Sequence, residues 1–172
     1  RQAFGDVPVS KGTSISGTPR YQYSNIVGIG LSKHGAPVGS KVLQEIKVPK
    51  WIASGNTDIK SAFLGALFDD EGYFRDTPTS RQIVFKAAKS LALKKNLEEY
   101  LCQIISMLDS FDIETSGIRS DQIKKTKNGT EMISLRFWIT RNENFQMFRK
   151  HLQLLHPERI EKLNNIRRSG IH

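Results

Sequence analysis

Cysteine is nearly absent. Cys102 alone among 172 residues leaves no internal disulfide framework and no thiolate zinc cluster. The four histidines, His34, His151, His156 and His172, are scattered without HExxH-type ligand spacing. No apolar run approaches the roughly 20 residues that a membrane-spanning helix needs, which excludes such a helix. No apolar leader stretch is present, and the first residue is Arg1 rather than Met, so a processed or trimmed product is expected. Acids are in deficit as well: 17 Asp and Glu face 26 Lys and Arg, a formal charge of +9. That imbalance points to a polyanionic partner, with nucleic acid ahead of a membrane surface.

What is present suits a packed core, with 38% hydrophobic and 25% charged residues, in one domain or two small ones. Residues 1–19 are rich in Gly, Ser, Thr and Pro and read as a loosely anchored hairpin or loop. A short helix is expected over 21–33, weakened by Gly28 and Gly30. Gly35-Ala36-Pro37-Val38-Gly39 breaks the chain before a linker segment over 42–51. A helix is predicted over 58–71, with Thr57 or Asp58 as N-cap and Gly72 at its C-terminal side. Two strands follow, over 73–76 and 82–87, around a Thr77-Pro78-Thr79-Ser80 turn. Leu93, Leu97, Tyr100, Leu101, Ile104, Ile105, Leu108 and Phe111 recur at helical spacing and predict an amphipathic helix over 93–111. Asn128-Gly129 is a hairpin signal joining strands near 115–126 and 131–140. Phe145, Phe148, Leu152 and Leu155 mark another helix, interrupted by His156-Pro157 and resumed through Ile160, Leu163 and Ile166. This order is an α+β unit, with helices on one face of a four-stranded antiparallel sheet and a polar face left outside.

The helix over 58–71 closes on Asp69, Asp70 and Glu71. Carboxylates there meet the negative end of the helix dipole, at a cost of roughly 0.3–1 kcal/mol each. Local stability would favour Lys or Arg. A divalent cation held by acidic oxygens explains the choice; a solvated acidic turn is the alternative. Ala62, Gly65, Ala66 and Asp69 fall at i, i+3, i+4 and i+7, a small-residue stripe that lets a second helix approach closely.

Leu64-Gly65-Ala66-Leu67-Phe68-Asp69-Asp70-Glu71-Gly72 resembles the LAGLIDADG motif of homing endonucleases, and the element order after it resembles that family's αββαββα half-domain, over about 58–168. The resemblance implies that Glu71, at the penultimate motif position, is the metal-binding and catalytic carboxylate, with Mg²⁺ as the cofactor; Asp69 and Asp70 are the secondary candidates, Asp70 as a metal ligand and Asp69 rather as a cap of the helix interface. It implies a site-specific endonuclease hydrolysing duplex DNA, encoded within an intron or intein, and an intracellular location (cytoplasm, nucleoid or an organelle). Upstream, Gly35-Ala36-Pro37-Val38-Gly39-Ser40-Lys41 and Val48-Pro49-Lys50-Trp51-Ile52 are similar to the stretch that closes a first half-domain in two-motif members. On that likeness Lys41 matches the lysine near the active site, and Arg159 stands at the corresponding place of the second half. Residues 1–57 are then the remnant of a preceding half-domain plus linker, and 58–172 a LAGLIDADG half-domain. Residues 1–20 contain no first motif helix. The second acid is therefore expected from a longer chain, a separate fragment or a homodimer that brings two copies of the Ala62–Asp69 stripe together. A cleavage-silent DNA-binding regulator or an RNA-splicing maturase on the same fold is the alternative. His172 closes the chain without a His-Asn splice junction, so an intact intein is not expected.

For DNA contact the sheet is the natural surface, because a β-ribbon fits the major groove. With Ile133, Leu135, Phe137 and Ile139 inward, Ser134, Arg136, Trp138 and Thr140 face outward. By the same parity Ile83, Phe85 and Ala87 point inward, while Gln82 and Lys86 point outward. Arg75, Arg119, Gln122, Lys124, Lys125 and Lys127 extend the basic surface; ordinary solvated charge is the alternative for each. Glu45-Ile46-Lys47 fits the E-x-K of another nuclease class, but no Asp precedes it suitably and it reads as a linker strand. Cys102 is expected to be buried rather than reactive.

Overall fold

The computed structural model describes residues 9–13, 19–77 and 79–168. It divides into two compact units, Arg1–Gly39 and Ser40–His172. No helix among the described residues is long and apolar enough to cross a membrane.

In the first unit, β1 (Val9–Thr13) pairs antiparallel with β2 (Pro19–Tyr23), and α1 (Asn25–Lys33) follows. The hairpin reading of the N-terminal stretch is met where residues are described; 1–8 and 14–18 lie outside them. The helix expected from residue 21 starts at Asn25, because 21–23 pair in the ladder with β1.

The second unit is α+β. Its elements are α2 (Lys50–Ala53), α3 (Thr57–Glu71), β3 (Gly72–Thr77), β4 (Ser80–Ser90), a single 3₁₀ turn, and α4 (Lys94–Asp109). There follow β5 (Arg119–Ser120), β6 (Lys124–Lys125), β7 (Glu131–Ile139), α5 (Asn142–His151) and α6 (Pro157–Arg168). The antiparallel sheet runs β3-β4-β7-β5, with β6 also paired to β7. One arm expected as a single strand over 115–126 is thus two short pieces separated by residues 121–123. Gly129 sits in the hairpin turn with a φ of 78°, where an L side chain is strained.

The predicted parity of the strands holds. Ile133, Leu135, Phe137 and Ile139 are buried, as are Ile83 and Phe85. Helices cover that inner face. Phe68 of α3 lies 5.4 Å from Phe85, 6.5 Å from Phe137 and 5.0 Å from Phe148 of α5, centroid to centroid, which makes an aromatic cluster the centre of the core. From α4, Leu97, Tyr100, Leu101, Ile104, Met107 and Leu108 face inward. Cys102 is exposed, correcting the sequence reading: at 100° per residue it lies one step past Leu101 and off the buried stripe. Leu155, expected on a packed helical face, is also exposed, because it falls in the link between α5 and α6.

Residues 41–49 contain no helix or strand, so Glu45-Ile46-Lys47 is not the linker strand expected. Side-chain amides of α4 stand in for a strand partner. Asn96 accepts from Ile46 N at 2.9 Å and donates to Ile46 O at 3.0 Å, and Gln103 Oε1 accepts from Val48 N at 2.8 Å. Ser90 N donates to Val42 O at 2.9 Å. Val48 and Ile52 then bury into the main core, which seats this segment beside the end of α3.

Candidate active site and nucleic-acid interface

Helix α3 begins at an Asn56 cap, whose Oδ1 accepts from Ile59 N at 3.0 Å; the sequence had pointed to Thr57 or Asp58. The helix ends on Asp69, Asp70 and Glu71 and passes straight into β3. Gly72 is extended there, at φ −75°, rather than left-handed. A Cβ at Gly72 would run into the carbonyl oxygen of Phe68, so only glycine allows so abrupt a change from helix to strand. That corner separates Asp69 from Asp70 and Glu71. Asp69 turns toward the chain's own 155–156 backbone, where Oδ2 accepts from Leu155 N at 2.6 Å and from His156 N at 3.2 Å. Asp70 is open to solvent, its side chain 76% exposed, and Glu71 is half-buried.

Lys41 comes to the same corner from the 41–49 segment. Its Nζ donates to Glu71 Oε1 and lies 3.8 Å from Asp70 Oδ2. The hydrogen bond to Glu71, and the charges of Glu71 and Asp70, raise the lysine's pKa above its ordinary value against the opposing effect of burial. Lys41 is therefore an ammonium at neutral pH, suited to meeting a phosphate rather than to taking a proton. A cavity of about 210 Å³ adjoins the pair and is lined by Lys41, Asp70, Glu71, Leu67, Phe85 and Tyr100 among others. Burial, with a smaller effect of Glu71's charge, pushes the Tyr100 phenol up to about 12.

Two residues at this corner escape sequence reasoning. Tyr100 reads as one more apolar position of α4, although its hydroxyl is the one polar tip on that stripe. Lys89 continues the inward parity of Ile83, Phe85 and Ala87, and a lysine at such a position is the signal that was available. Lys89 is 1% exposed; its Nζ donates to Lys41 O at 2.8 Å and to Gln44 O. Burial lowers its pKa, with the charge of Glu45 acting in the other direction. Lys89 and the Ser90 N–H thus fasten the turn that carries Lys41 to the end of β4.

Among the described residues no three carboxylate, imidazole or thiol groups gather into a set able to hold an ion by themselves. Asp70 and Glu71 supply two adjacent carboxylates. That fits Mg²⁺ in part, because this ion keeps several waters and takes one or two carboxylates together with substrate phosphates.

The stripe Ala62, Gly65, Ala66 and Asp69 is divided. A Cβ at Gly65 would strike the Gln153 carbonyl, and Ser61 Oγ donates to His151 O, so Ser61, Gly65 and Asp69 face the chain's own 151–156 segment. Ala62 and Ala66 are exposed, in one row with Asp58 and Asp70. Arg159 lies over the Phe74 ring, 5.8 Å from its centroid.

The outward sheet face is ordered in rows by the registers. Arg75 lies opposite Gln82; Tyr73, Val84 and Trp138 form the next row, and Lys86, Arg136 and Arg119 the one after. Arg75, Lys86, Arg119, Gln122, Lys124, Lys125 and Arg136 are exposed, while Gln82 and Trp138 are half-buried. Two of these cations share a carboxylate that the sequence reading passed over: Asp121 Oδ2 is 2.5 Å from Lys86 Nζ, and its Oδ1 is 3.2 Å from Arg136 Nη2. Lys125 lies 3.5 Å from Glu131 Oε1.

No family model matches the chain, and no solved structure matches it. The chain is 31% identical over 121 residues to the tRNA-splicing ligase RtcB of Pyrococcus furiosus, covering 69% of this chain and 12% of that protein. It is 31% identical over 153 residues to the tRNA-splicing ligase RtcB of Methanocaldococcus jannaschii, covering 86% and 15%. It is also 29% identical over 127 residues to the replication factor C small subunit of Methanocaldococcus jannaschii, covering 71% and 7%. The chain therefore spans a small fraction of the length of these curated relatives.

Proposed function

We propose that this chain is the half-domain of a LAGLIDADG-type, site-specific endonuclease that hydrolyses phosphodiesters of duplex DNA with Mg²⁺. The observation that supports this reading most is a juxtaposition. Glu71 and Asp70 end α3 beside the ammonium of Lys41, at the corner where the chain turns into a sheet whose outward face carries Lys86, Arg119, Arg136 and Trp138. Residues 58–172 are in this reading an αββαββα half-domain, and 1–57 the remnant of another plus linker.

Glu71 and Asp70 would hold the ion, which when bound supplies a water of lowered pKa and charge for the leaving oxygen. Lys41, kept protonated by Glu71, places a positive charge where a phosphate arrives. The sheet face binds the duplex. Cations on phosphates set affinity, and Arg136, Gln82 and Gln122 are placed to meet base edges. The second acid comes from a second half, on a longer chain, on a separate fragment or on another copy. The exposed Ala62 and Ala66 give that half a close approach; Gly65 and Asp69 are already engaged.

The activities in the relatives' names belong to those proteins. A ligase and a replication-factor subunit both match this chain over similar lengths and small fractions of their own. We infer that the shared stretch is not what gives either its name. A stretch carried by differently named hosts is what an intron- or intein-encoded endonuclease leaves behind.

A second reading has its own observation: with Lys41 seated on Glu71, the acid is already neutralised, a state that suits a cleavage-silent DNA-binding regulator or an RNA-splicing maturase. One experiment separates the two. The chain, joined by its second half where that half lies on a longer chain or a separate fragment, is incubated with a randomised duplex library and Mg²⁺, and cut ends are sequenced. A defined cut site, absent for Glu71→Gln although that variant still binds the same duplexes, is the expected result. Binding without cutting under any divalent ion favours the second reading.

A further inference from the structure

Asp121 lies between β5 and β6 on the outward sheet face. Its N–H donates to Ser134 O at 2.9 Å, so its place is set by the backbone ladder. Both carboxylate oxygens are in use, one toward Lys86 and one toward Arg136. The Asp121 side chain is 18% exposed, against 47% for Lys86 and 46% for Arg136. The hydrogen bond from Lys86, then the charges of Lys86, Arg136 and Lys124, hold the carboxyl below its usual value, against the effect of burial.

A carboxylate at the centre of a basic face is a poor choice if the face only neutralises phosphates, since it cancels charge where charge is wanted. What it supplies is orientation. An arginine tied by one Nη to a carboxylate has already lost its rotamer freedom, and its other N–H groups form a fork of fixed direction. Such a fork matches the O6 and N7 acceptors of guanine in the major groove. The carboxylate itself repels phosphate oxygens and accepts only from donors such as the cytosine amino group.

We propose that Asp121 is a specificity-determining residue of this face: it holds Lys86 and Arg136 off the phosphates and presents them as a fixed pair to base edges of duplex DNA. The proposal rests on the duplex-DNA reading above. It requires one substitution to move two quantities in opposite directions. Asp121→Asn binds random duplex more tightly, with a salt slope steeper by about one, as a freed cation finds a phosphate. The same variant loses discrimination between its best and scrambled sequences by about tenfold or more.

The test uses the full chain without divalent metal. Wild type and Asp121→Asn each select from a randomised duplex library. Affinities for the selected and a scrambled duplex are then measured across a salt series, beside thermal midpoints. Tighter binding of scrambled DNA with reduced discrimination supports the proposal. Unchanged discrimination, or equal loss of affinity for both duplexes, overturns it. In a Lys86→Met, Arg136→Met background nothing remains to be oriented, so adding Asp121→Asn leaves discrimination unchanged; a further tenfold loss there also overturns it. A chain that binds no duplex at any salt overturns the DNA reading and the proposal with it, whereas the preceding outcomes overturn the proposal alone.

Discussion

Lys89 shows how much of the candidate site rests on a single side chain. A buried ammonium is tolerable only when its donors are used, and here two backbone carbonyls use them. Lys89→Met keeps the aliphatic stem and leaves Lys41 O and Gln44 O without that donor, so stability should fall by about 1–3 kcal/mol in urea unfolding. Tyr100 makes a prediction in pH. Its phenol keeps its proton to about 12 in the folded chain but loses it near 10 when unfolded. The unfolded state therefore binds fewer protons between those values, and stability falls as pH rises through them. Tyr100→Phe should remove that part of the loss from a plot of thermal midpoint against pH. Asp121 gives the acid counterpart: with its folded pKa depressed, it stabilises above about 3.8 and loses this as pH falls below. Glu71 and Lys41 were legible as a pair only through the motif and its upstream turn. Lys89 was not, because its partners lie some 45 residues away in sequence.

Among the elements, α3 is the one whose every face has a different task. Phe68 and Leu64 anchor it in the core, Gly65 and Asp69 receive the chain after α5, and Ala62, Ala66 and Asp70 stay outside. Gly65→Ala would push a methyl into the Gln153 carbonyl and should cost about 1–3 kcal/mol, read as a lowered unfolding midpoint. Phe68→Ala should cost more, about 3–5 kcal/mol, because it empties the centre of the aromatic cluster. Periodicity made α4 and β7 readable, since a stripe of Leu and Ile or a strict alternation is a local property. It could not tell which neighbour covers each face of α3. Helical spacing placed Ala62 and Gly65 together, yet tertiary packing cut between them, and the same 100° step put Cys102 outside rather than in. The sequence pattern over 115–126 is that of one strand, and nothing in it marks Asp121, which sits where the arm breaks.

On the scale of the molecule, Arg75, Lys86, Arg119, Lys124, Lys125 and Arg136 lie exposed along the sheet of a chain whose formal charge is +9. Sequence arithmetic pointed to a polyanion; the parity of β4 and β7 chose the face, and the α3–β3 corner places two acids and a lysine at its edge. The central claim is that Glu71 acts in metal-assisted cutting of duplex DNA rather than closing a structural ion pair with Lys41. It is tested most directly by the single-turnover cutting rate of a selected duplex with Mg²⁺, wild type against Glu71→Gln, at equal DNA occupancy. The expected result is a loss of at least about 100-fold in rate with the affinity for that duplex retained. Equal cutting by the two proteins would contradict the account.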